Sequence, residues 1–320
     1  MPSHKTHLLE WIQHVVKQAK KQNKMLIAFS HFPMTDYTDN QSIGLQILFG
    51  AGSFQANRLP SATTSAALAE TGLRIHIAGH MHMNDTGVVR NRQGNLLFNI
   101  QAPSLAAYVP AYKLLRYNSA TQISVETIRL DKVENFNALF PHYQREWQYL
   151  QKHGSGHLWD KRILDSHNYR EFTAFHLREL ARLRFLPQEW PADLRAAFLQ
   201  LNGWELLVLA FYSGEWPDKF VTGSQLEFSA RQQQDWSAAE SRARDYLASN
   251  QQSIDNWREW DAMDLSVDFY RLYIADQLAL ADINSARINQ YRLLGELFDQ
   301  SSVNRVSDFP GQNKVKEKMT

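Results

Sequence analysis

The chain has no cysteine in 320 residues. That excludes a thiol nucleophile, cysteine-ligated zinc, an iron–sulfur cluster and a disulfide scaffold, so a metal would have to rest on His, Asp, Glu or Asn. Glycine (14) and proline (10) are too few for a collagen-like or low-complexity chain. No charge of one sign dominates: 34 Lys and Arg face 33 Asp and Glu, and the resulting +1 argues against a dedicated nucleic-acid binder. No apolar run approaches the ~18 residues needed to cross a bilayer, and no signal-peptide pattern precedes Leu8. The compartment stays unknown. What is present is a 44% apolar composition, enough for one or two cores, and twelve histidines.

Charge and aromatic content divide the chain near Asp131. Residues 1–130 hold 12 basic and 6 acidic side chains, whereas residues 131–320 hold 22 and 27. Eight of the nine tryptophans lie after residue 140. The pattern predicts two domains, 1–130 and 131–320, the second mainly helical with a disordered tail from about residue 310. Helical periodicity is expected at 134–152, 160–186, 192–212, 235–260, 264–280 and 282–299. Trp147, Trp159, Trp190, Trp204, Trp236, Trp257 and Trp260 recur at helical spacing there and are expected between helices.

In the first part, Leu8, Leu9, Ile12, Val15, Val16 and Ala19 predict an amphipathic helix over Thr6–Asn23. Met25-Leu26-Ile27-Ala28-Phe29 has no polar alternation and predicts a strand covered on both faces, ending at Ser30-His31-Phe32-Pro33. Residues 34–72 predict a long excursion with one or two short helices. A second apolar run, Leu73–Ala78, ends in Gly79-His80-Met81-His82. Segments Gly87–Arg90, Asn95–Ile100, Tyr112–Tyr117 and Gln122–Leu130 predict a β-meander.

Three histidines thus stand at the ends of two apolar strands, where open α/β sheets place their ligands. On an extended segment His80 and His82 face one side, Gly79 is expected to supply the sharp turn, and His31 joins them if the two strands are neighbours. Ser30-His31-Phe32-Pro33, Ala78-Gly79-His80-Met81-His82 and the paired strands containing Pro110–Leu115 resemble the C-terminal half of a calcineurin-like binuclear metallophosphoesterase. The resemblance covers about residues 5–130. It implies an α/β fold, half of a β-sandwich flanked by helices, followed by the helical domain.

It also implies that His31 and His80 ligate one divalent ion and His82 a second (Mn, Fe or Zn), and that the substrate is a phosphate ester. That family's order begins with Asp-x-His, Gly-Asp and Gly-Asn-His, and none of these stands upstream of His31. No catalytic acid or base is therefore identified, and a missing N-terminal half, in cis or in trans, is expected to bring the carboxylates. Alone, the chain is expected to be inactive. The alternative is a degenerate, non-catalytic scaffold whose Trp-rich helical domain binds a protein partner. Arg58, in the 34–72 excursion with Asp36 and Asp39, and Asn84, after His82, are substrate-binding candidates. His76 is read as structural, and His153 and His157 as linker residues around Gly154-Ser155-Gly156. A His-x-His-x-Asp-His motif is absent, hairpins rather than repeated βα units follow His82, and Gly50-Ala51-Gly52 lacks a third glycine.

Overall fold

The computed structural model describes residues 6–38, 41–50, 52–119, 122–154, 158–192, 195, 199–214 and 228–306, with side chains of the last helix described to residue 297. Helices and two small sheets are combined. The chain forms two compact units, one of Met1–Pro191 with Val267–Leu280, the other of Ala192–Ser266 with Ala281–Thr320. The last strand ends at Arg129, and every regular element after it is helical among the described residues.

In the first unit, α1 (Thr6–Lys21) forms where the periodicity predicts it. Lys20 and Lys21 in its last turn complement the helix dipole, and Ile12 and Val16 pack on Leu68, Leu73 and Leu97. The main sheet contains β1 (Ala28–Ser30), β2 (Ile75–Ala78), β3 (Thr86–Arg90) and β4 (Leu96–Gln101) in the order β1-β2-β4-β3. β1 pairs parallel with β2, β2 parallel with β4, and β3 antiparallel with β4. A separate antiparallel hairpin holds β5 (Ala111–Ser119) and β6 (Gln122–Arg129). The meander expected from the sequence is therefore corrected: β4 leaves its hairpin partner on one side to join β2 on the other, which no local spacing encodes.

β1 is the second correction. It is three residues long, lies at the sheet edge, and leaves Phe29 72% exposed. An apolar run marks a strand suited to burial on both faces, but it cannot report whether a neighbour is present. The 34–72 excursion contains α2 (Gln41–Phe49), a 3-10 turn over Ser53–Arg58 and α3 (Ala62–Glu70), started by Ser61 accepting from the Thr64 N–H. Asp39 lies outside the described residues, as do His157 and the tail from 307. The helices α4 (Phe140–His153) and α5 (Tyr169–Leu180) follow the second sheet.

In the second unit, Asn202 and Glu205 make a capping box at the start of helix Gly203–Phe211, and Ser229 with Gln232 does the same for Ala230–Ser249. Trp204, Trp257 and Trp260 lie in its core with Leu207, Leu247 and Leu293, so these tryptophans pack between helices as their spacing indicates. Gly203 approaches Trp260 so closely that a Cβ would overlap the indole.

Gly87 on β3 is the comparable close approach in the first unit. A Cβ there would sit 2.5 Å from Thr35 Oγ1 and 2.7 Å from the Asp36 carbonyl, within the loop that continues from His31. Gly87→Ala is expected to destabilise the chain by about 1–3 kcal/mol through overpacking. Thermal unfolding followed by circular dichroism tests this; an unchanged midpoint would show that the loop yields freely.

Candidate functional site

Parallel pairing of Ala28 with His76 and Ser30 with Ala78 brings the carboxyl ends of β1 and β2 side by side. The backbone pairing runs one step beyond the strands, where the Gly79 N–H donates to the His31 carbonyl at 3.2 Å. His31 Nε2 and His80 Nδ1 then meet at 2.9 Å, with ring centroids 4.7 Å apart in an edge-on arrangement. Residues 49 positions apart in sequence become neighbours because their strands are neighbours.

The loop after β2 differs from an extended segment. Gly79 does not adopt a left-handed backbone; His80 (φ 62°) and His82 (φ 56°) do. The Met81 N–H donates to the Gly79 carbonyl at 2.7 Å across His80, closing a three-residue turn. The turn expected of Gly79 is thus made by the histidines themselves, at about 1–3 kcal/mol of backbone strain for each such residue. Burial nevertheless alternates. Met81 and Met83 are buried with Tyr37, and the Tyr37 hydroxyl donates to Met83 Sδ at 3.1 Å, whereas His80 is half-buried and His82 exposed. Two thioethers hold the loop down and leave two imidazoles facing outward.

Phe32 packs on His80 with centroids 4.3 Å apart, and the exposed Arg58 guanidinium lies 5.8 Å from the Phe32 ring centroid. Desolvation, then the charges of His31, Arg58 and His82, push the His80 pKa below its ordinary value. His80 Nε2 is buried without a hydrogen-bond partner. A neutral imidazole suits a metal better than a proton. Two ring nitrogens 2.9 Å apart also match two ligands bound to one ion at roughly 2.0–2.1 Å and about a right angle. The fit is partial, since among the described residues no group of three or more His, Asp or Glu is arranged to hold an ion.

Other candidates are engaged elsewhere. Asn84 is buried; its Oδ1 accepts from Lys113 Nζ at 2.6 Å and Thr127 Oγ1 at 2.9 Å, and its backbone N–H donates to the Ile274 carbonyl at 2.8 Å. It thereby ties the histidine loop to β5, β6 and the segment Val267–Leu280. Burial lowers the Lys113 pKa, with the Asp85 charge opposing. The Asp36 carboxylate accepts from the Thr38 backbone and hydroxyl and from Ser42, ahead of α2. The one Asp-x-His triplet of the chain, Asp165-Ser166-His167, follows a 3-10 turn rather than a strand, and His167 pairs with Glu171 in the first turn of α5.

A polar row that no sequence motif marks runs beside the histidines. Ser30 Oγ lies 2.7 Å from His76 Nε2, and His76 Nδ1 lies 2.7 Å from Asn99 Oδ1. Asn99 Oδ1 also accepts from the Met34 N–H at 2.8 Å. The available signal was a histidine in the middle of an apolar strand, since a buried imidazole requires partners. The chain matches no protein-family model and no curated protein.

Desolvation holds the His76 pKa below 6.5, with the Asn99 hydrogen bond pulling the other way. The unfolded chain therefore takes up this proton first, so the contribution to stability is complete above pH 6.5 and is lost as the pH falls towards the folded-state pKa. Urea unfolding is expected to weaken from about pH 7.5 to about pH 5.5, and less so in His76→Gln. Parallel pH dependences in the two proteins would contradict the assignment.

Proposed function

We propose that the chain is the C-terminal portion of a metal-dependent phosphoesterase, in which His31 and His80 ligate one divalent ion and His82 a second. The observation that carries this reading is the 2.9 Å approach of His31 Nε2 to His80 Nδ1 from the carboxyl ends of two adjacent parallel strands. The free edge at β1 and the exposure of Phe29 agree with a sheet that continues in a further segment, whose carboxylates complete the ion sites. In this reading the chain supplies half of a β-sandwich, with the β5–β6 hairpin as part of its second layer.

Bound ions in such a centre neutralise phosphoryl oxygens and lower the pKa of a water. The residues of this chain have simpler roles. His31 and His80 present ring nitrogens, Phe32 packs beside them on one side, and Arg58 offers a cation to a phosphate entering from the 34–72 excursion. The hydrogen bonds around Asn84 keep the His80–His82 loop in place. The helical unit has no assigned part in the chemistry.

Purified chain 1–320 is expected to bind Mn weakly and to show little Mn-dependent turnover of a chromogenic phosphate ester. His31→Ala and His80→Ala should each lower bound Mn, measured by equilibrium dialysis with elemental analysis. Metal content that neither substitution changes would remove the ligand assignment and favour the non-catalytic scaffold. Rapid turnover abolished by His82→Ala would instead show that the chain is sufficient by itself.

A further inference from the structure

We infer that Ser30, His76 and Asn99 form a nucleophile, general base and orienting amide, opening at the carboxyl edge of the main sheet and cleaving carboxylic esters through an acyl-serine. The inference does not depend on a metal. It starts from the sheet register: Ala28, His76 and Asn99 are aligned on neighbouring strands, and Ser30 lies two residues beyond Ala28, so all three side chains share one face. The two links are each 2.7 Å, from Ser30 Oγ to His76 Nε2 and from His76 Nδ1 to Asn99 Oδ1. A nucleophile within reach of a base that a third group orients is the defining geometry of an activated hydroxyl, and an amide can fill the third position.

The hydrogen-bond partners fix the direction of the chain. A backbone N–H can only donate, so the Asn99 atom that receives the Met34 N–H at 2.8 Å is the amide oxygen. In the orientation that satisfies its own amide, Gln101 accepts from Asn99 Nδ2 at 3.2 Å, which requires the same assignment. Asn99 Oδ1 can then only accept from His76, so Nδ1 carries the imidazole proton. The lone pair of the neutral ring is left on Nε2, facing the Ser30 hydroxyl. The base and the orienting amide are both 0% exposed, whereas Ser30 is exposed. The hydroxyl has a second acceptor, the Phe32 carbonyl at 2.8 Å, but a carbonyl cannot take the proton away and an imidazole can.

In the reaction, Ser30 Oγ bonds to the ester carbonyl carbon as its proton moves to His76 Nε2. The carbon–oxygen bond to the alcohol then breaks, and the departing alkoxide takes that proton. Water repeats the sequence against the acyl-serine, giving the acid and regenerating the hydroxyl. One ester and one water give one acid and one alcohol, with no further reactant.

The test uses the full chain in EDTA with a fluorophosphonate probe, which bonds phosphorus to Oγ as fluoride leaves and the hydroxyl proton passes to His76. Peptide mass spectrometry is expected to find the adduct on Ser30 of the native protein and not after heat denaturation. His76→Gln should slow labelling by about 100-fold or more, the contribution of a general base. Asn99→Ala should slow it too, and Ser30→Ala should abolish it, each checked for folding by circular dichroism. Absence of an adduct on native protein, an adduct on a different serine, or labelling of folded His76→Gln at the wild-type rate would overturn the inference. Mapping on the unsubstituted chain decides the first two outcomes even if a variant fails to fold. Because EDTA is present throughout, either result leaves the metal-binding reading to its own experiment.

Discussion

The parallel pairing of β1 on β2 is the interaction on which the rest of the first unit depends. Three residue pairs, Ala28 with His76, Phe29 with Ile77 and Ser30 with Ala78, set the register, and the Gly79–His31 hydrogen bond extends it into the loops. A slip of one residue would turn Ser30 away from His76 and carry His31 out of reach of His80. Both polar constellations are thus consequences of a ladder only three residues long. Such a short ladder is held from its flanks, by α1 packed on Leu73 and Leu97 and by Asn99 receiving the Met34 N–H beyond the strand.

Asn99 therefore has a structural effect larger than its size. One amide oxygen accepts from His76 and from Met34, joining the centre of the sheet to the loop that carries His31. Burying an imidazole and an amide in a sheet is unfavourable unless their hydrogen-bonding groups are met, and here they are met by each other. The direction of the row is fixed at its buried end, because Asn99 Oδ1 can only accept and His76 Nδ1 therefore donates to it. The same row that permits serine chemistry also holds the histidine pair in place.

Much of this could be read from residue order, and the rest was hidden for identifiable reasons. The helix over Thr6–Lys21, the strand at Ile75–Ala78 and the helical character after Asp131 follow from periodicity, which is a local property. The expectation that His31 reaches His80 was conditional on neighbouring strands, and that neighbourhood is a matter of topology. Local pattern could not tell that β1 is an edge, that β4 pairs with β2, or that the residues before Leu280 return to hold Asn84. Glycine tolerates left-handed backbone most easily, which points to Gly79 for the turn, yet His80 and His82 adopt it, held by Met81 and Met83 beneath them. Asn84 looked like a pocket residue and is an internal tie, since polarity alone does not tell whether a side chain faces inward.

A chain without a thiol has no sacrificial sulfur nucleophile, so its oxidation chemistry falls to thioethers. The two beneath the imidazoles, Met81 and Met83, are also the contacts that seat their loop. Conversion of either to a sulfoxide would put a polar, chiral group into the space now shared with Tyr37, and the loop would lift with it. Burial is what keeps oxidants from them. The packing that orients His80 and His82 is therefore also the shield of the two thioethers, and any opening that admits peroxide to them would disarm the site with both imidazole rings chemically intact.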